Sequence, residues 1–369
     1  MNFPADYQSI IDRIEQIDPV HYAKTRNFLN GDVTYLSPYI SRGVISVKLV
    51  KDIVFQKGYK PYQVEKFLQE LAWREYFQRV WQNKGTAIQK DLKQLQPDTQ
   101  HQQMISNIEK AETGIEAIDE QINQLYATGY LHNHVRMYIA SIVCNIGKAY
   151  WVQPANWMYY HLLDGDIASN NCSWQWVAGA FSSKKYYCNQ ENINKYTFSK
   201  QQHTFIDKSY EEISVMNIPD KLVETSVLKL ETKLPLTPLP TIDTAKPTLL
   251  YNSYNLDSNW RKEENVNRVL LLEPSYFQQY PVSEKVIQFV IDLSGNINDL
   301  QIFVGEIDEL IHLYHNSSAA VNNRFISKEH PAFIHYPGIK DNRDWMFPEV
   351  TGYYNSFFSY WKAYEKYLK

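Results

Sequence analysis

Apolar side chains recur at intervals of three and four through the first two hundred residues, and this spacing predicts helices. Phe67, Leu71 and Val80 belong to one such helix. Ser37-Pro38 reads as a helix start, with Ser37 as N-cap and Pro38 in the first turn. Thr113 reads as the cap of a helix over 114–127, Glu116 completing a capping box and Gly129 fitting the C-terminal end. Further helices are expected from about Asn133 to Tyr150 and from Pro154 to near Leu163. Five prolines punctuate residues 216–247, which read as a linker or extended strap. Beyond them the pattern alternates. Strands are expected at 248–254, 269–272, 301–304 and 332–336, with helices at 283–293, near 307–314 and at 352–368. The expected fold is mainly α: a helical domain over 1–205, a Pro-containing linker over 206–247 and a smaller α/β domain with a parallel sheet over 248–369.

Composition narrows this picture. Glycine is scarce, at 13 of 369 residues, and 44% of the chain is apolar, so a core is available in every part. The net charge of −4 conceals an asymmetry: residues 1–200 carry 21 basic and 19 acidic side chains, and residues 201–369 carry 16 and 22. A basic groove on the first half is compatible with these numbers, because local patches rather than net charge steer nucleic acid. Cys144, Cys172 and Cys188 are too far apart for a CxxC pair, and three thiols exclude a four-cysteine cluster. No metal site is expected. The N-terminus does not read as a signal peptide and no run of 18 apolar residues occurs, so a soluble, cytoplasmic protein is expected.

Three segments concentrate candidate chemistry. Within Asp164–Trp176 lie Asp164, Asp166, Asn170, Asn171, Trp174 and Trp176. Two carboxylates, two adjacent amides and two indoles in thirteen residues suit a buried aromatic cofactor that needs a few polar contacts. Glu70, Trp73, Arg74 and Phe77 share a helical face. They read either as a surface ion pair over a core edge or as a pocket wall, with Trp73 stacking on a flat ligand and Arg74 holding phosphate. In Thr128–Met137, Asn133, Arg136 and Met137 share a face, and Arg136 opposite Asp164 would form a buried ion pair. His132 and His134 are spaced poorly for metal and read as structural histidines.

Together these segments resemble the photolyase/cryptochrome family. Glu70–Phe77 resembles its "ELxWREF" helix, Thr113–Asp119 its "TGxPLVDA" start, residues 128–137 "TGWMHNRxRM", Asp164–Trp176 "DGDxAxNxGxWQW", and Tyr35–Tyr39 the "xLSPYL" turn. The resemblance covers roughly residues 20–200. It implies a helical FAD-binding domain in a chain lacking the family's N-terminal antenna domain. Thr248–Leu256 faintly resembles the first strand of that domain, so residues 248–369 read as a permuted half-antenna or as an unrelated packing domain.

By the same resemblance, Tyr22, Thr34, Leu36, Ser37 and Arg74 cradle the diphosphate of FAD, with Phe67 packed nearby. Asp164, Gly165 and Asp166 line the isoalloxazine and ribityl edge, Arg136 balances Asp164, and Asn170 faces the flavin N5. A neutral amide there tolerates a reduced flavin better than a carboxylate would. Glu70, Trp73, Asn133, Met137 and Trp176 form the lesion pocket, the two indoles wedging a flipped pyrimidine dimer. Glu70, if protonated by burial, would donate to a thymine carbonyl. Trp174 and Trp151 match two members of the family's photoreduction chain. The third, exit tryptophan has no counterpart between Trp81 and Trp151; Trp157 or a tyrosine is left to substitute. His134 stands where the family has arginine, Tyr130 where tryptophan is common, and Val33 and Tyr35 where threonine and a basic residue are usual. Lys184 and Lys185 read as DNA-backbone contacts or as a solvated turn.

The implied reaction is light-driven repair of cyclobutane pyrimidine dimers in UV-damaged DNA by electron transfer from reduced FAD, a lyase activity without membrane involvement. The alternative is a cryptochrome-like blue-light photoreceptor with a C-terminal output domain. A third reading is a flavoprotein that has lost both roles.

Overall fold

The computed structural model describes residues 2–314 and 324–368. The chain forms two compact units. One holds residues 18–33 and 63–230; the other holds 2–17, 34–62 and the described residues from 231 onward. This division differs from the contiguous domains read from the sequence. Residues 206–230 also belong with the helices rather than with a linker, since Ile206, Ile213 and Leu222 are buried and Thr225–Ser226 pairs antiparallel with Met104–Ile105.

The first unit is helical. Pro61–Lys84 is its longest helix, 24 residues, and after Pro61 it contains no helix breaker. Val64, Phe67, Leu68 and Val80 are almost wholly buried, and each contributes about 2 kcal/mol by leaving water. Gly85, at φ +53, follows its end. The next long helix is Glu116–Thr128, closed by Gly129 in the left-handed region as expected. Its start differs from the expected capping box. Ile115 is the N-cap, and Asp119 reaches back to accept from the Thr113 backbone, the Thr113 hydroxyl and the Gly114 N–H. Thr113 Oγ1 accepts from Ile115 N instead of capping the helix.

The helix expected from Asn133 to Tyr150 is shorter. Asn133–Ala140 is α-helical, Ser141–Ile146 widens into a π-turn, and Gly147 follows, its N–H donating to Ile142 O. All six residues of that turn are buried. Val152–His161 and Ile167–Ala178 complete the central layer, packed round Trp151, Trp157 and Tyr138. Asp166 caps Ile167–Ala178 by accepting from Ser169 N, and Gly179 ends it at φ +81.

The second unit carries a five-stranded parallel sheet. Its strands are β1 (Thr248–Tyr251), β2 (Asn267–Leu272), β3 (Leu300–Val304), β4 (Phe325–Lys328) and β5 (Ile339–Asp341), in spatial order β3-β2-β1-β4-β5. β1 and β2 are almost fully buried, with apolar runs at Leu249–Tyr251 and Val269–Leu272, as strands covered on both faces require. Residues 332–336, expected as a strand, are not one. Pro331–Phe333 is a 3₁₀ turn capped by the His330 ring, and the two last strands flank it. Ser37 is also placed differently. It is the first residue of the short helix Ser37–Ser41, whose N-cap is Leu36 with no side-chain cap. Helices Tyr7–Glu15 and Val47–Gln56 belong to this unit, which is stitched across long separations. Tyr7 N donates to Asn296 Oδ1, Arg42 donates to Ser253 O, and Tyr39 meets Phe289. Residues 232–243 run as an extended strap beside β3, where Val304 N donates to Thr237 Oγ1 and Thr241 exchanges two bonds with the Gln301 side chain.

Candidate functional site

The polar candidates of the helical unit lie around one helix start. Asp166 is 2% exposed, and its two oxygens have separate partners. One accepts from Ser169 N at 2.7 Å; the other accepts from Gln78 Nε2 at 2.6 Å and lies 3.9 Å from Arg74 Nη2. Gly165 precedes it because no Cβ fits, since one would sit 3.0 Å from the Leu162 and Tyr159 carbonyl oxygens. Arg136 faces Asp164 across the helices, its Nη2 at 3.0 and 2.9 Å from the two carboxylate oxygens and its Nε donating to Leu131 O. Asn170 is nearly buried, and its Nδ2 donates to Ala155 O at 3.0 Å. Burial pushes the Cys172 thiol well up, and the Asp166 charge adds to the shift.

A second cluster surrounds Glu70. Tyr22 packs edge-on against Phe67, with ring centroids 5.2 Å apart. Burial raises the Tyr22 phenol well above its ordinary range, the Glu70 charge adding and the Arg26 charge opposing. Glu70 is half-buried and paired with two cations. Its side chain is 28% exposed, and its Oε1 lies 3.3 Å from Arg26 Nε and 3.1 Å from Lys66 Nζ. The segment bearing Arg26 is tied to the helix bearing Asn133, because the His134 ring bonds Asn27 O at 3.0 Å. His132 caps that helix, its Nδ1 accepting from His134 N. The ring is buried and its pKa is pushed down to about 4, first by desolvation and then by the charges of His134 and Arg136. Burial lowers His134 as well.

The lesion-pocket candidates retain accessible surface. Asn133 is exposed, Trp176 is 37% exposed, and Glu70, Trp73 and Met137 are half-buried. Trp73 lies against Tyr76 and Phe77, and Trp176 against Tyr186. Thr34, Leu36 and Ser37 belong to the sheet-bearing unit, where Leu36 N donates to Thr34 Oγ1 at 3.4 Å and Tyr35 adopts φ +54. Trp174 and Trp151 are buried. Trp151 Nε1 donates to Asp91 at 2.7 Å, and the Tyr150 ring lies 6.0 Å away. Trp157 Nε1 donates to the Tyr126 hydroxyl. Lys185, read as a DNA contact or part of a solvated turn, is bound to Asp98 at 2.7 Å, with its side chain 8% exposed. Sequence reasoning missed Arg26, Gln78 and Asp91, whose partners lie 44, 88 and 60 residues away. Such separations leave no spacing signal.

Among the described residues no three His, Cys, Asp or Glu side chains are placed to hold a metal, and no helix is long and apolar enough to cross a membrane. The set fits a flat anionic cofactor. The Arg74 guanidinium suits phosphate, a glycine permits close approach, and an amide and a carboxylate suit the polar edge of a ring system.

These features define a helical domain with a polar cluster suited to a flat cofactor. Residues 67–233 match the family described as the FAD binding domain of DNA photolyase, which supports FAD as the cofactor. The chain is 28% identical over 226 residues to the deoxyribodipyrimidine photo-lyase of Alkalihalophilus pseudofirmus, covering 57% of this chain and 46% of that protein. It is 30% identical over 165 residues to the deoxyribodipyrimidine photo-lyase of Streptomyces griseus, covering 43% and 35%. Among solved structures, a Synechocystis cryptochrome aligns with TM-score 0.46 at 22% identity, over 53% of this chain and 44% of that one. The chain thus spans about half the length, or less, of the curated relatives it matches.

Proposed function

We propose that this protein repairs cyclobutane pyrimidine dimers in DNA by light-driven electron transfer. The relatives' name, deoxyribodipyrimidine photo-lyase, supports lyase chemistry on UV-damaged DNA. The observation that carries the reading is the Glu70 cluster. Glu70 accepts from Arg26 and Lys66 on the same helix as Trp73 and Arg74, at a position open to solvent. The edge of a dimer offers N3–H donors and carbonyl acceptors. Glu70 accepts the former, and Arg26 and Lys66 supply positive charge where the transferred electron resides on the carbonyls. Trp73 and Trp176 offer indole faces to the flipped bases, and Asn133 and Met137 complete the pocket.

FAD, when bound, supplies the light-excited electron donor. Arg74 and Tyr22 would hold its phosphates, with Phe67 beside them. Asp164, Gly165, Asp166 and Arg136 would hold the ring edge, and Asn170 would offer it a neutral amide. Trp174 and Trp151, both buried, would be the aromatic groups available to pass electrons toward the cofactor.

The test is repair of a thymine-dimer oligonucleotide by purified, chemically reduced protein under blue light, with a dark control. Light-dependent recovery of intact thymines is expected, and Glu70→Ala lowers it about tenfold, the scale of one hydrogen bond to a charged group. Flavin-loaded protein that restores no thymines refutes the reading. The alternative, a blue-light photoreceptor, draws on the separate compact sheet-bearing unit as an output module. It predicts a light-dependent change in proteolysis of that unit without repair.

A further inference from the structure

Phe198 is out of place by ordinary rules. It ends the helix Gln190–Thr197 at φ +62, a region that bulky L-residues avoid, and yet its ring is 57% exposed. A glycine would hold that backbone without strain, and a polar residue would suit that exposure. The strained position aims the ring. Phe198 stacks on Phe28 with centroids 5.6 Å apart and planes 26° apart, and Phe28 meets Tyr196 at 4.9 Å. Tyr196 in turn meets His134 at 4.6 Å, beside Asn133. The ladder is rigid, because Leu29 N donates to Tyr196 O and His134 bonds Asn27 O. It begins two residues from Arg26, the partner of Glu70. Lys195 Nζ sits 5.3 Å from the Tyr196 ring, and Lys200, two residues past Phe198, is exposed.

An exposed ring stacked on a second ring, backed by a rigid ladder and flanked by ammonium groups, has the chemistry of a platform for single-stranded nucleic acid. The ring takes a base face and the lysines take phosphates. We propose that Phe198 stacks an unpaired DNA base flanking the lesion, and so fixes the strand while the dimer occupies the pocket. This rests on the repair reading above. It adds a contact outside the flavin and lesion sets, and it explains why a strained phenylalanine stands at a helix end.

The test uses the full-length, flavin-loaded protein and a single-stranded oligonucleotide with 2-aminopurine beside a thymine dimer. Wild type is expected to quench the probe on binding. Phe198→Gly is expected to weaken binding about tenfold, the scale of one base–aromatic stack. It should also abolish the quench and raise Tm, because glycine relieves the strained φ. Phe198→Trp retains binding and quench. Equal affinity and quench in wild type and Phe198→Gly overturn the proposal, as does a lowered Tm with unchanged affinity, which marks the ring as structural. Repair of a bare dinucleotide dimer separates this from the functional reading. It has no flanking base, so both proteins repair it equally if only the platform is lost, and neither repairs it if the repair reading itself fails.

Discussion

His132 makes the helical unit sensitive to mild acid. Its neutral ring caps Asn133–Ala140 through Nδ1, so the ring proton sits on Nε2, and protonating Nδ1 destroys the cap. The folded pKa is pushed down to about 4, with desolvation first and the charges of His134 and Arg136 after it. The unfolded chain titrates near the ordinary value of about 6.5. Above 6.5 the ring is neutral in both states and contributes no pH dependence. As pH falls from 6.5 toward 4, only the unfolded state gains a proton, so stability declines through that window and levels off below 4. The distance from about 6.5 to about 4 corresponds to about 3 kcal/mol. Urea unfolding between pH 7 and pH 4, compared with His132→Asn, measures it. Asparagine keeps an acceptor for His134 N and cannot titrate. Wild type should lose about 3 kcal/mol more than the variant across the window, and superimposable pH profiles refute the reasoning. His134, also lowered by burial, remains in both proteins and cancels from the difference.

Other outcomes follow from the same geometry. Gly129→Ala should cost about 1–3 kcal/mol by urea unfolding, because φ is +72 and the new Cβ would lie 2.7 Å from Leu163 Cγ. Asp164→Asn should cost about 2–3 kcal/mol, short of a fully buried pair because the Arg136 side chain is 22% exposed, and should lower flavin retention on gel filtration.

Local signals in this chain were legible where the chemistry is local. Gly129 ends its helix because a left-handed residue was needed there, and the two buried strands β1 and β2 sit close to where alternation put them. Thr113 was misread because a capping box and an Asp119 that reaches back over six residues satisfy the same backbone donors. The helix through Asn133 was read too long because a π-turn keeps every side chain of 141–146 buried, and burial alone cannot report a change of register. Residues 332–336 were read as a strand, but Pro331 fixes φ and His330 caps the turn, and β5 is a three-residue stretch with an exposed Ile339 that offers no alternation. In the site, Asp164, Asp166 and Arg136 stood out because so much polarity amid apolar residues is unusual. The pairing of Glu70 with Arg26 was hidden because it is tertiary. The same holds for the sheet-bearing unit, whose membership of residues 2–17 and 34–62 is set by contacts that no window of sequence contains.

That interleaving governs how the protein is made. Tyr7 waits for Asn296, 289 residues later, and Tyr39 waits for Phe289. At about 5–20 residues per second, ribosomal synthesis leaves helices Tyr7–Glu15 and Val47–Gln56 without their sheet for on the order of 15–60 s. Ile10, Ile14, Val50 and Val54, buried in the finished fold, lack their sheet partners for that interval. The helical unit, whose segments are finished by residue 230, has its whole sequence available first. Slower translation before residue 284 lengthens the exposure of those two early helices to aggregation, whatever the stability of the completed molecule.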